Sequence, residues 1–452
     1  MQSINPATGE VIREYEEHRA HEAASAVRRA AEAFADWRER PLAERCEIVG
    51  RAAEVLRDGL EEYARLMTDE MGKPIGEARS EIDKCAWVCE FYADSGAEML
   101  RPQPVETDAA RSLVRFDPIG PVFGIMPWNF PFWQVFRYSA PTLVAGNVAL
   151  LKHASNVPGC ALAIESVWRD AGLPEGGFTT LLVGGAQASD LIGHPDIAAV
   201  TLTGSDAAGR EVAAEAGRHL RKSVLELGGS DPFIVLDDAD PAEVARQAVK
   251  ARTINSGQSC IAAKRFIVDE SLADRFEVEM VEAIGELAVG DPSDEETDIG
   301  PLAREDLLEE LHDQVERAVE AGALLLTGGE RLDRPGYFYA PTVLGSVAPG
   351  NPAFEEETFG PVAPLVRARG EEEAIELANR SRFGLGASLW SGDRERAERL
   401  VERIDAGSVF VNGIVKSDPR LPFGGVKASG YGRELSAYGL REFVNIKTVW
   451  VG

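Results

Sequence analysis

The sequence predicts an α/β protein of two parallel-sheet domains joined to a small strand-built element. Three observations carry this reading. From residue 122 onward, short apolar runs alternate with helical patterns, a rhythm that belongs to parallel sheets. The rhythm stops at Gly228-Gly229 and restarts near Phe233, which implies a second α/β unit. Two segments outside it, 111–115 and 443–451, alternate like strands with one exposed face. With 452 residues, 44% of them hydrophobic, the chain can bury two or three cores.

Taken in order, residues 19–100 read as long amphipathic helices, among them 23–37 and 42–67, with a break at Met71-Gly72-Lys73-Pro74. Phe116-Asp117-Pro118 and Ile119-Gly120-Pro121 punctuate the strand at 111–115. The apolar strand 122–126 ends at Pro127-Trp128-Asn129-Phe130-Pro131. Strands are expected at 148–152, 180–183 and 198–203, and helices at 159–171 and 205–216. Beyond Gly229 come strands at 233–236 and 263–268 and helices at 241–256, 272–287 and 307–321. The expected division is 1–104 with 120–228 for one domain and 229–420 for the other. Segments 105–119 and 440–452 form the strand element, the tail pairing with 111–116.

Charge narrows the function. Asp plus Glu total 75 against 47 for Lys plus Arg, a net charge of −28, which argues against nucleic-acid binding. The acids spread along the helices, lysine is scarce and arginine supplies most of the positive charge; this is the pattern of a surface adapted to high salt. The five cysteines are an odd count in a large chain, so disulfides are not expected. Cys85 and Cys89 lie four apart on a helix without further ligands nearby, and no metal site is expected. No signal peptide or membrane-spanning stretch is read, so a soluble cytoplasmic protein is expected.

The chemistry centres on Asn255-Ser256-Gly257-Gln258-Ser259-Cys260, a thiol after small, polar, turn-forming residues. A thiol nucleophile needs a nearby base for itself or for the water that releases its product. Glu226, at a strand end before Gly228-Gly229, is the candidate base, its approach unblocked by side chains. Taken singly, such a cysteine is ordinarily a small buried hydrophobe and such a glutamate a solvated turn. Asn129 ends a strand between an aromatic residue and a proline, where a fixed carboxamide can donate to an oxyanion. Thr203-Gly204-Ser205 follows a strand and opens a helix whose N–H groups suit phosphate, although Ser205 is also an ordinary N-cap. In Glu355-Glu356-Glu357-Thr358-Phe359-Gly360-Pro361 a carboxylate can hold ribose hydroxyls.

These motifs, with Lys152 and Pro422-Phe423-Gly424-Gly425, resemble the aldehyde dehydrogenase superfamily along nearly the whole chain. Within it the chain is most similar to the NAD(P)-dependent succinate-semialdehyde dehydrogenases. The resemblance implies a Rossmann-type cofactor domain, a catalytic domain and oligomerisation strands, in a homodimer or homotetramer. It implies that Cys260 attacks an aldehyde to give a thiohemiacetal and then a thioester, and that Asn129 with the Cys260 N–H stabilises the oxyanion. Glu226 would activate the hydrolytic water. The cofactor residues it implies are Met126, Pro127, Trp128, Lys152, Ser155, Gly204, Ser205, Glu357 and Phe359.

One departure bears on the cofactor. Many NAD-preferring relatives carry a glutamate where this chain has Ser155, in Lys152-His153-Ala154-Ser155. Without that carboxylate a 2′-phosphate is not repelled, so NADP is accepted alongside NAD and can be preferred. For the substrate, Trp133 and Arg137 lie on the helix after Asn129. An arginine there can anchor a carboxylate, helped by Ser259 and Ser417. The expected reaction is succinate semialdehyde to succinate. Uncharged aliphatic or aromatic aldehydes, and a cofactor-independent thiol esterase, are the alternatives.

Overall fold

The computed structural model describes residues 1–452. Its first sheet runs in the order Gly430–Tyr431, Lys222–Glu226, Ala199–Thr203, Pro121–Met126, Val148–His153, Phe178–Thr180. All neighbours are parallel except the short Gly430–Tyr431 strand. Strand order reverses between Pro121–Met126 and Ala199–Thr203, the place where open α/β sheets leave a crevice at their carboxyl ends. Both Pro127-Trp128-Asn129 and Gly204-Ser205 leave the sheet at that crevice.

The second sheet has seven strands in the order Leu324–Thr327, Thr342–Gly345, Val362–Ala368, Ala263–Asp269, Asp231–Val235, Gly386–Trp390, Ser408–Val411. The changeover between the sheets falls between Glu226 and Asp231. Its central strands are buried along their whole length, as befits a sheet covered on both faces. The third sheet pairs Val444–Val451 with Arg111–Pro118 in register from Val444↔Pro118 to Val451↔Arg111, as the alternation predicts, and adds Gln103–Pro104.

Three expectations shift. The helix expected over 42–67 is two helices, Leu42–Asp58 and Leu60–Met71, meeting at Gly59. The strand expected at 180–183 is Phe178–Thr180, with Leu181 still donating to the Leu151 carbonyl at 2.7 Å. The helix expected to reach Ser256 stops at Thr253, because Asn255 and Ser256 take left-handed φ values of 54° and 55°. That departure from helix shapes the loop that carries Cys260.

The long helix Ile75–Met99 positions the helix Trp133–Ala145. Glu81 Oε1 accepts from the N–H groups of Phe132 and Trp133, both at 2.9 Å, which satisfies free donors at that helix start. Its other oxygen pairs with the buried Lys73. No helix is long and apolar enough to cross a membrane.

Candidate active site

A cavity of about 530 Å³ opens at the crevice of the first sheet. Its wall includes Pro127, Trp128, Asn129, Gly204, Ser205, Cys260, Glu357 and Phe359. Residues drawn from four separate stretches therefore meet at one thiol. Trp128 and Phe359 meet edge to face, with ring centroids 5.8 Å apart.

The Cys260 loop is held by backbone acceptors and buried cations. Arg252 is fully buried and donates to the carbonyls of Ala263 at 2.8 Å and of Gly257 and Gly360, both at 2.7 Å. Lys264 Nζ donates to the carbonyls of Ser259 at 2.8 Å and Cys260 at 2.7 Å. Gly257, at φ 79°, lies so close to Gly360 that a Cβ would come within 2.4 Å of its carbonyl. Only glycine fits there. Burial pushes the Cys260 thiol up to about 11, while the charges of Lys264 and Arg137 favour the thiolate.

Asn129 is held in one orientation. Its Oδ1 accepts from Gln134 Nε2 at 3.0 Å and its Nδ2 donates to the Gln258 carbonyl at 3.0 Å. One amide hydrogen remains for a further acceptor.

Glu226 is not the open carboxylate the following glycines suggest. It is buried, and neither carboxyl oxygen has a hydrogen-bond partner. Gly228 and Gly229 serve another purpose: a Cβ would stand 2.3 Å from Glu357 Oε2 at the first and 2.6 Å from the Cys260 carbonyl at the second. Burial, then the charge of Glu434, hold Glu226 well above the usual carboxylate range, with Arg137 and Arg433 opposing. That environment favours its protonated form.

Arg137 departs from the expectation of a free anchor. Its guanidinium pairs with Glu434, also buried, donates to Thr203 Oγ1 at 3.2 Å and lies 4.7 Å from the Phe423 ring centroid. A substrate carboxylate reaching it would compete with Glu434. Ser259 is fully buried, its hydroxyl without a partner, and does not line the cavity. Ser417 and Trp133 are brought together by a residue the sequence did not single out: Lys84 Nζ donates to Ser417 Oγ at 2.8 Å and lies 4.4 Å from the Trp133 ring centroid.

The remaining cofactor candidates divide. Glu357 lines the cavity but is already engaged, accepting from the Gly229 N–H at 3.0 Å and lying 3.2 Å from Lys264 Nζ. Ser205 caps its helix, accepting from the Ala208 N–H at 3.3 Å, and lines the cavity as well. Met126, Lys152 and Ser155 stand outside the cavity wall, at the carboxyl ends of adjacent strands paired as Ile125↔Lys152 and Met126↔His153. Lys152 is half-buried without an acidic partner, and burial lowers its pKa. The missed residues Arg252, Lys264 and Lys84 carry no motif signal; each acts through partners set by the fold.

Residues 1–449 match the aldehyde dehydrogenase family. A probable NADP(+) succinate-semialdehyde dehydrogenase of Synechocystis is 52% identical over 449 residues, 99% of each chain. The NAD(P)+ succinate semialdehyde dehydrogenase of Escherichia coli is 48% identical over 99% of this chain and 97% of its own. The crystal structure of the Streptococcus pyogenes succinic semialdehyde dehydrogenase with NADP+ superposes with a TM-score of 0.97 at 38% identity, covering 100% of this chain and 99% of that one. A 3,6-anhydro-L-galactose dehydrogenase reaches a TM-score of 0.96 at 30% identity, covering 100% of this chain and 96% of that one, so the backbone alone does not select the aldehyde. The chain belongs to the aldehyde dehydrogenase family.

Proposed function

We propose that the protein oxidises succinate semialdehyde to succinate, with NADP as cofactor and NAD accepted. The observation that carries the reading is the full-length identity of about half to succinate-semialdehyde dehydrogenases, joined to a thiol opening on a cavity. Cys260 attacks the aldehyde carbon, and the fixed Asn129 amide with the Cys260 N–H takes the oxyanion. Glu226, once it has lost its proton, activates the water that cleaves the thioester. Its unpartnered oxygens leave room for that water's hydrogen bond. Pro127, Trp128, Gly204 and Phe359 shape the cofactor wall.

The residues present fit a phosphorylated dinucleotide. The helix Asp206–Arg218 begins at the cavity wall, where Gly204, Ser205 and Asp206 lie, and the half-buried Lys152 lacks a counter-ion. Ser155 is exposed at the end of the neighbouring strand, and residues 152–156 hold no acid to repel a 2′-phosphate. When bound, the nicotinamide accepts the hydride that the substrate carbon loses.

A homodimer or homotetramer is part of the same reading. Its support is the strand Val444–Val451, which leaves Ile446 61% and Trp450 56% exposed on a sheet edge. A cytoplasmic location accords with five free cysteines, and the surface charge of −28 accords with a high-salt setting.

The test is initial rates of reduced-cofactor formation with succinate semialdehyde, hexanal and benzaldehyde, each with NAD and NADP. Preference for succinate semialdehyde with NADP is expected. If a neutral aldehyde wins, the substrate assignment falls while the family stands.

A further inference from the structure

Of the nine lysines in the chain, four sit in or around the site just described: Lys73, Lys84, Lys152 and Lys264. Elsewhere positive charge is almost entirely arginine. Lys73 is paired with Glu81, and Lys264 with Glu357 and three backbone carbonyls. Lys84 is different. It forms no ion pair, and its one hydrogen bond goes to the neutral hydroxyl of Ser417, 333 residues away. A desolvated cation without a carboxylate in contact is costly, and an arriving anion would relieve that cost.

Lys84, Trp133 and Ser417 stand outside the cavity wall, on the elements that position its oxyanion donor. Lys84 lies one helical turn beyond Glu81, which holds the start of the helix bearing Trp133, Gln134 and Arg137. Gln134 in turn fixes the Asn129 amide, so the Lys84 ammonium over Trp133 is two contacts from the oxyanion donor. The other cation of this region, Arg137, is spoken for by Glu434.

We infer that Lys84, with Ser417 as its neutral partner and Trp133 as its floor, binds the carboxylate of the semialdehyde and selects acidic over neutral aldehydes. This rests on the reading that the substrate is succinate semialdehyde. Binding forms a charge-assisted hydrogen bond from Nζ to the carboxylate, and no covalent bond changes.

The groups facing Lys84 set its titration. Burial and then Arg137, on the neighbouring helix, pull it down to about 8, while Cys85 and Glu81 on its own helix and Asp418 in the facing loop oppose. The free enzyme therefore loses this cation as pH rises through about 8, and KM for the acidic substrate rises above that pH.

The experiment compares wild type, Lys84→Met and Lys84→Arg with succinate semialdehyde and its neutral counterpart butanal between pH 7 and 9.5. Lys84→Met is expected to raise KM for succinate semialdehyde by about 10- to 100-fold, the value of one charged hydrogen bond, with little change in kcat and none for butanal. Lys84→Arg keeps a charge that does not titrate, so it should hold KM low and remove the alkaline rise. Equal losses on both substrates, or a Lys84→Met enzyme that still prefers succinate semialdehyde, overturn the inference. A wild type without preference for succinate semialdehyde over butanal overturns the underlying substrate reading instead.

Discussion

A methyl group at position 424 would stand 2.6 Å from Glu226 Oε1, and Gly424 itself sits at φ 150°. The glycine therefore makes room for the candidate base. Gly424→Ala should displace that carboxyl by a fraction of an ångström and lower kcat by about 100-fold. The first turnover should survive, seen as a burst of reduced cofactor equal to the subunit concentration. Loss of the burst with the steady state would place the damage at the nucleophile instead. The thiol gives a second residue-scale test. Burial pushes Cys260 to about 11, so alkylation by iodoacetamide in the free enzyme should climb about tenfold per pH unit from 7 to 9.5. Lys264 favours the thiolate, so Lys264→Met should slow alkylation at every pH. A plateau below pH 9 would mean that the thiolate forms far more readily than this environment allows. Substituting Arg137 is less informative, because it also strands the buried Glu434 carboxyl.

At the scale of elements, the loop between the helix Pro241–Thr253 and the strand Ala263–Asp269 is a backbone turned against its own preference. Asn255, Ser256 and Gly257 are consecutive left-handed residues. Arg252 offsets that strain by satisfying carbonyls from three segments at once. Arg252→Met should leave those acceptors buried and unpaired, costing at least about 3 kcal/mol in stability by denaturant unfolding. A loss below 1 kcal/mol would show that the loop holds itself. The sequence foretells little of this. Helix and strand periodicity reveal the sheets, and alternation at both ends reveals the pairing of Val444–Val451 with Arg111–Pro118. Glycines and short motifs reveal which stretches converge on Cys260. A lysine whose partner lies 333 residues away leaves no local pattern, and neither does an arginine whose partners are carbonyls. Arg137 stands out as a cation in the right place, but its neutralisation by Glu434 depends on how residues 430–435 return to the first sheet.

For the whole molecule, a net charge of −28 on 452 residues means that the compact state carries substantial self-repulsion. Much of the surface arginine is already tied to acids, as in Arg396 with Asp237 and Glu371, and Arg317 with Asp313 and Glu356. Most acids nevertheless remain unpaired, and only solvent ions can offset them. Simple screening has a known reach: the Debye length is about 10 Å at 0.1 M and about 3 Å at 1 M, so its benefit is nearly complete by about 0.5 M. A surface shaped for high salt should go on gaining beyond that point, because densely placed carboxylates hold hydrated cations in the folded state. The melting temperature is therefore expected to rise from 0.1 to 0.5 M KCl and to keep rising towards 3 M. If the curve flattens above about 0.5 M, screening alone accounts for the charge, and the acidic helices are an ordinary solvated face.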